Sequence, residues 1–273
     1  KEYDGTTNVT NGQLFITLEG VVTGDDVTAS ATSYAYNNAN AGENKTITAS
    51  GITLTGADAG NYTLSSTTAT TTGTITKSQP TIAFAGGYNP GKTYDGQTIS
   101  NPTADDLTIT GANFSDVTFE WSATPKDAGT YTLTANIPET DNTAAASTSP
   151  LTVTISKATL TATGATVASK TYDGNTAASV SSVTFTGLVP GEALALGTDY
   201  TATGTFADAN AGTGKSVSIA VTLKDSAKAN NYNLTNGSVN ATGTIAKASQ
   251  TAPSITGLPT GTITYGDTFT LHT

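Results

Sequence analysis

The chain has 273 residues, with 21 Asp and Glu against 11 basic residues that are all Lys, and its net charge is −10. Nucleic-acid binding and attraction to anionic membranes both depend on basic patches. The composition therefore predicts a partner that is neither nucleic acid nor a membrane surface.

Residues that carry common catalytic and metal chemistry are scarce. The chain has no Cys, and its single His is His272. Zinc sites use Cys and His, and Ser-His-Asp or Cys-His catalysis needs an imidazole in a supported position. No apolar run approaches the roughly 20 residues that span a bilayer. We therefore expect no enzyme, no cofactor, no metal and no membrane insertion in this segment, and the absence of a leader favours an internal part of a larger mature protein.

In chain order, the first recurring element is a Lys-x-Tyr-Asp-Gly motif at residues 1–5, 92–96 and 170–174, with a variant at 263–267. We expect the Tyr ring to be buried at the edge of a core, the Asp to cap a turn and the Gly to adopt positive φ. A residue repeated in every module is more often framework than site. The predicted framework residues are Tyr3, Asp4, Gly5, Tyr94, Asp95, Gly96, Tyr172, Asp173, Gly174, Tyr265, Gly266 and Asp267.

Each of the first three motifs is followed by an Ala-Gly turn and then by a strand that ends in Lys. The turn glycines are Gly42, Gly129 and Gly212, and the closing strands span 73–77, 151–157 and 243–247. These landmarks predict four segments, which we call copy one (1–77, lacking its first strand), copy two (78–157, shorter), copy three (158–247) and the start of a fourth copy (248–273). The links are short, which favours a semi-rigid array.

The predicted secondary structure is β throughout. Thr is abundant, and apolar residues alternate with polar ones, as in 152–155 and 216–219. This period of two is typical of strands with one buried face, and Gly, Asn, Asp and Pro interrupt it about every ten residues. The pattern predicts an all-β fold without helices.

The motif, the Ala-Gly turn and the closing Thr-Ile-x-Lys strand resemble the YDG and MBG repeats of large bacterial adhesins similar to filamentous haemagglutinin. Residues 263–271 resemble a sister type with Tyr-Gly-x. The resemblance implies small Ig-like or β-grasp-like modules in an elongated array, with copies one and three of YDG type and copy two of shorter MBG or YDG-like type. It implies an extracellular location, on the bacterial surface or secreted, and no catalytic residues.

Other candidate sites have simpler structural interpretations. Turn carboxylates can bind calcium, but no EF-hand spacing is present, and solvated turn residues are favoured. Lysines near strand ends can form isopeptide bonds, yet salt-bridged edge residues are the simpler interpretation. Trp121 either fills a core or stacks on a sugar. The calcium candidates are Asp25, Asp26, Asp105, Asp106, Asp116 and Asp208, and the lysines are Lys77, Lys92, Lys157, Lys170 and Lys247.

The sequence favours a structural stalk that projects a binding region from the cell surface, with the neighbouring repeats as its partners. Two alternatives remain open. The modules could bind host glycan or protein directly, which requires exposed aromatic rings. They could also assemble with copies of themselves into a fibre or matrix, with a neighbour supplying the strand that copy one lacks.

Overall fold

The computed structural model describes residues 1–9, 14–252 and 265. It divides into two compact units, Lys1–Ala158 and Thr159–Thr273. The prediction of an all-β protein is confirmed, because the described residues form twenty strands and, as their helical elements, only four short 3₁₀ turns. The turns are Ala59–Asn61, Ala104–Asp106, Phe114–Asp116 and Ala229–Asn231. Within the described ranges, no helix is long and apolar enough to cross a membrane.

Copy one contains the first five strands. The strands β2, β3 and β5 form an antiparallel sheet with β3 at its centre, and β1 pairs with β4. Tyr36, Ile47 and Ile75 are the buried residues of its core. The bounds are β1 Thr28–Ser30, β2 Ser33–Tyr36, β3 Gly42–Ser50, β4 Thr53–Thr55 and β5 Thr68–Ile75.

Copy two has a mixed sheet in the order β11-β10-β12-β7, with β9 also paired to β10, and a separate β6-β8 pair. In β12 the predicted alternation is present, since the buried Val153 and Ile155 alternate with exposed Thr and Ser residues. The bounds are β6 Thr81–Phe84, β7 Lys92–Thr93, β8 Leu107–Thr110, β9 Thr118–Trp121, β10 Gly129–Ile137, β11 Ala146–Ser147 and β12 Leu151–Ser156.

Copy three, apart from its first residue Ala158, lies in the second unit and has two sheets around one core. One sheet has the order β14-β20-β18-β17-β15, and the other has β13 between β16 and β19. Residues of both sheets, including Ala162 and Val217, meet in the core. The bounds are β13 Ala158–Val167, β14 Lys170–Thr171, β15 Ala177–Ala178, β16 Val180–Thr186, β17 Tyr200–Phe206, β18 Gly212–Leu223, β19 Tyr232–Asn236 and β20 Ser238–Ala246.

Copies one and two are joined by a hydrogen-bonded junction around Asn142. Its Oδ1 accepts from the N–H of Ala41 at 2.8 Å, and its backbone carbonyl accepts from the N–H of Ser78 at 2.9 Å. Nearby, Nζ of Lys77 donates to Oε1 of Glu139 at 2.5 Å. The Ala-Gly turn of copy one is therefore held by a loop of copy two.

A close approach in the core of copy three requires a glycine in β20. A Cβ added at Gly243 would lie 2.8 Å from Cε1 of Phe206, whose side chain is buried. We expect Gly243→Ala to destabilise the second unit by about 1–3 kcal/mol through overpacking. Urea unfolding followed by NMR signals of this unit measures the effect. Gly164→Ala, where an added Cβ meets open space, is the matched control, and an equal loss in both variants would contradict the packing argument.

The junction leads to a second prediction. In Asn142→Ala the N–H of Ala41 loses its acceptor, so its hydrogen exchange should accelerate by about fivefold, as expected for one lost hydrogen bond. Exchange measured by NMR tests this. The amide of Ala211, at the corresponding turn of copy three, should be unchanged, and unaltered exchange at Ala41 would show that the bond contributes nothing to the junction.

Candidate functional site

The recurring motif pairs through its backbone with the closing strand of its own copy. We call this pairing, together with the lysine-aspartate contact of the motif, the clasp. In copies two and three, β7 and β14 run parallel to the ends of β12 and β20, and Glu2 forms the matching bridge to Thr76 in copy one. The N–H of each motif tyrosine donates to a closing-strand carbonyl at 2.8 Å. The donor and acceptor pairs are Tyr3 with Thr76, Tyr94 with Ser156, and Tyr172 with Ala246.

The Ala-Gly turn occupies the other edge of the same closing strand. Each turn glycine is the first residue of the strand that pairs antiparallel with the closing strand, and each lies opposite a buried isoleucine two residues before the closing Lys. The pairs are Gly42 with Ile75, Gly129 with Ile155, and Gly212 with Ile245. All three copies therefore place the closing strand between the motif and the turn, although copy two has a different sheet.

The predicted Asp cap is present in every described copy of the motif. Oδ1 of the aspartate accepts from the backbone N–H two residues later, at 2.9 Å for Asp4, 2.9 Å for Asp95 and 3.1 Å for Asp173. The intervening glycines adopt φ of 75°, 74° and 80°. A side chain at this position would be strained, which explains the Asp-Gly pair.

The motif lysine ties this turn to the strand. In each copy its Nζ lies 2.7 Å from Oδ1 of the motif aspartate. The same ammonium group donates to the carbonyl five residues later, at 2.8 Å for Lys1, 2.8 Å for Lys92 and 3.0 Å for Lys170. These motif lysines are salt-bridged, in agreement with the simpler of their two predicted roles.

These contacts hold the motif carboxylates in their charged form. Hydrogen bonds from Lys1 and then from Thr6 lower the pKa of Asp4 to about 2. The pKa values of Asp95 and Asp173 are also lowered, first by hydrogen bonds from Lys92 and Lys170 and then by the capped backbone N–H groups. A carboxylate stabilised in this way is a poor general acid at neutral pH.

The expectation that the motif rings are buried is correct for Tyr94 and wrong for Tyr172. Tyr94 is buried, Tyr3 packs partly against the core of copy one, and Tyr172 is 46% exposed. The motif determines the backbone path, whereas burial of the ring depends on what the rest of each copy packs against it. In the variant motif Tyr265 is exposed, while Gly266 and Asp267, like most of the predicted fourth copy, lie outside the described residues.

Copies one and three share a second lysine contact, next to the Ala-Gly turn, which sequence reasoning missed. Nζ of Lys45 is 2.5 Å from Oδ1 of Asn38, and Nζ of Lys215 is 2.5 Å from Oδ1 of Asp208. Each lysine follows its turn glycine by three residues, after a bulge in β3 or β18. This three-residue spacing, which both copies share, is the sequence signal that could have predicted the contact. The contact makes Asp208 a partner of Lys215 and lowers its pKa.

Copies one and three also share a tyrosine corner. In copy three, the hydroxyl of Tyr232 donates to Oε2 of Glu192 at 2.7 Å and accepts from the N–H of Val189 at 3.0 Å. Burial and the neighbouring carboxylate raise the pKa of Tyr232 to about 12. In copy one, the hydroxyl of Tyr62 makes the same two contacts, donating to Oδ2 of Asp25 at 2.6 Å and accepting from the N–H of Val22 at 3.0 Å.

Three of the remaining calcium candidates accept backbone hydrogen bonds, and the fourth, Asp105, is exposed in the 3₁₀ turn Ala104–Asp106. Oδ2 of Asp26 accepts from the N–H of Ala57, and Oδ2 of Asp106 from that of Thr103. Oδ2 of Asp116 accepts from the N–H of Asn113. Across residues 1–9, 14–252 and 265, no group of three or more His, Cys, Asp or Glu side chains converges as a metal site would require.

Trp121 is neither fully buried in a core nor fully exposed for stacking on a sugar. Its ring is half-buried at the end of β9, and its Nε1 donates to Oδ1 of Asn101 at 2.9 Å. The indole N–H is therefore already engaged within copy two.

Comparison with known families agrees with this repeated geometry. The YDG domain matches residues 1–71 and 156–242, more than half of the chain. The chain belongs to the YDG domain family. The two matches contain the first and third motifs, and the second motif lies between them. A comparison with curated proteins gave no match.

The lowered pKa values of the motif aspartates predict a pH dependence. A carboxylate with a folded-state pKa below its unfolded value near 4 stabilises the fold above about pH 4, and this stabilisation is lost as the pH falls towards about 2. We therefore expect a triple variant with Asp4→Asn, Asp95→Asn and Asp173→Asn to be less stable than the wild type at pH 6. The difference should shrink steadily between about pH 4 and pH 2.

Urea unfolding midpoints measured across this pH range provide the test. Asparagine retains an oxygen that can accept the cap, so the comparison isolates the charge. Asp141→Asn, an exposed position outside the motifs, is the control. A difference that did not change with pH would contradict a role for the charged pairs.

Proposed function

We propose that this chain is a structural segment of tandem YDG-type repeats in an extracellular bacterial adhesin. In this proposal, it spaces a distal binding region from the cell surface and has no catalytic role. The observation that carries the proposal is the clasp, which recurs three times with the same lysine-aspartate distance. A contact repeated in this way is framework, and its side chains are already engaged within each copy.

The junction of copies one and two supports the same role. A spacer transmits force and position only if neighbouring repeats resist bending, and the bonds at Asn142 and Lys77 restrain one such joint. The share of charged residues is low, 12%, and the exposed threonines of strands such as β5 provide a polar surface, while the net charge of −10 disfavours anionic partners.

Direct binding of host glycan by the modules is the competing proposal. The observation that favours it is the Tyr172 ring, which is 46% exposed although its backbone belongs to the clasp. Exposed aromatic rings provide stacking surfaces for ligands with apolar faces.

Two measurements on residues 1–273 separate these proposals. A spacer should give an extended particle in small-angle X-ray scattering and no binding above background on a glycan array. Saturable glycan binding that is lost in Tyr172→Ser would favour the second proposal, with Tyr131→Ser in copy two as the matched aromatic control. A compact particle without glycan binding would contradict the spacer role.

A further inference from the structure

Copies one and three have the same four-residue turn, Ala-Asn-Ala-Gly, at residues 39–42 and 209–212. In both, the backbone N–H of the turn asparagine donates to the side chain two residues earlier, at 3.1 Å for Asn40 and 2.8 Å for Asn210. The residue before the lysine that follows the turn has positive φ, 52° in copy one and 62° in copy three. The two turns therefore share their sequence and their backbone path.

In copy one, this turn is bound by the side chain of Asn142 from copy two. The Asn142 amide accepts from the N–H of Ala41 at 2.8 Å and donates through Nδ2 to Oδ1 of Asn40 at 3.3 Å. Asparagine has a donor and an acceptor on one short side chain, whereas an ionised aspartate only accepts and alanine does neither. The turn is therefore recognised through its asparagine and the N–H that follows it.

Asn142 lies in a short loop, residues 138–144, which we call the hairpin loop. The strands β10 and β11 pair at its base. Within it, Oγ1 of Thr140 accepts from the N–H groups of Asn142 and Thr143 at 3.3 and 3.0 Å. All these bonds lie within copy two, so the hairpin loop is preorganised for the turn that it binds.

The closing lysine of copy one and the residue after it complete this interface. Ser78 donates its N–H to the carbonyl of Asn142 and accepts from the N–H of Ala144, both at 2.9 Å. Nζ of Lys77 donates to Oε1 of Glu139 at 2.5 Å. The hairpin loop thus contacts the turn, the closing lysine and the backbone of the link.

Copy three has each part of this surface. Lys77 and Lys247 both lie two residues after the buried isoleucine that pairs with the turn glycine. Ala248 then provides the same backbone N–H and carbonyl as Ser78. Copy two, in contrast, has an Asp-Ala-Gly turn without a lysine three residues after the glycine. The surface is therefore a feature of the two YDG-type copies.

We propose that the turn 209–212 of copy three, with Lys247 and Ala248, is the docking surface for the hairpin loop of a copy-two-type repeat joined directly after it. The loop places its asparagine on the turn, as Asn142 does in copy one, and its glutamate beside the closing lysine. This inference rests on the spacer proposal and deepens it, because it names the contact that fixes one repeat to the next.

A graft in the complete chain tests the copy-three surface against the hairpin loop of copy two. Five substitutions give copy one the turn and the link residue of copy three, namely Asn37→Ala, Asn38→Asp, Glu43→Thr, Asn44→Gly and Ser78→Ala. Hydrogen exchange at the Ala41 amide should stay within about twofold of the wild type, and adding Asn142→Ala should accelerate it about fivefold. Asn142→Ala in the wild-type chain sets the scale, and exchange at Ile47 in β3 reports whether copy one is folded.

Two results of the graft would overturn the proposal. One is exchange at Ala41 that is already about fivefold faster while Ile47 stays protected, and the other is no response to Asn142→Ala. If the graft unfolds copy one, a chain with residues 78–157 repeated directly after Lys247 decides. In that chain, replacing the asparagine of the added loop with Ala should accelerate exchange at Ala211 about fivefold, and unchanged exchange would reject the contact.

The spacer proposal is judged separately, by scattering and the glycan array. An extended particle combined with a failed graft would reject this docking surface alone. A compact particle combined with a successful graft would reject the spacer role and leave the contact in place.

Discussion

Each copy is organised by one interaction, the pairing of its closing strand on both edges at once. The motif runs parallel along one edge, and the strand after the Ala-Gly turn runs antiparallel along the other. The buried isoleucine at positions 75, 155 and 245 lies at the centre of this arrangement. A buried backbone must have its hydrogen bonds satisfied, so the buried part of the closing strand needs a partner on each edge.

The lysine-aspartate contact makes this arrangement local and repeatable. The aspartate caps the turn that ends the parallel pairing. The lysine donates both to this aspartate and to the carbonyl five residues after itself. Every group in the contact comes from a stretch of six residues, so each copy can form it without help from its neighbours. This is the behaviour expected of a repeat whose number can vary while its fold is retained.

Copies one and three show how the same framework is adapted at its periphery. Both have the tyrosine corner and the lysine behind the turn, yet Asn38 stands where copy three has Asp208. A further difference is that Tyr232 is buried in copy three, whereas Tyr62 of copy one is partly exposed. The framework is therefore retained while the surroundings of the tyrosine differ.

The sequence alone determined the all-β class, the repeats and the turn chemistry, because strand alternation and the Asp-Gly cap are local properties of adjacent residues. Burial of the tyrosine rings was decided by tertiary structure, since Tyr94 and Tyr172 have the same local motif and different surroundings. The pairing of Lys45 with Asn38 is closer to local, because the spacing that copies one and three share indicates it. The Asn142 junction joins residues 101 positions apart, and it is determined by how the two copies pack, which no local pattern encodes.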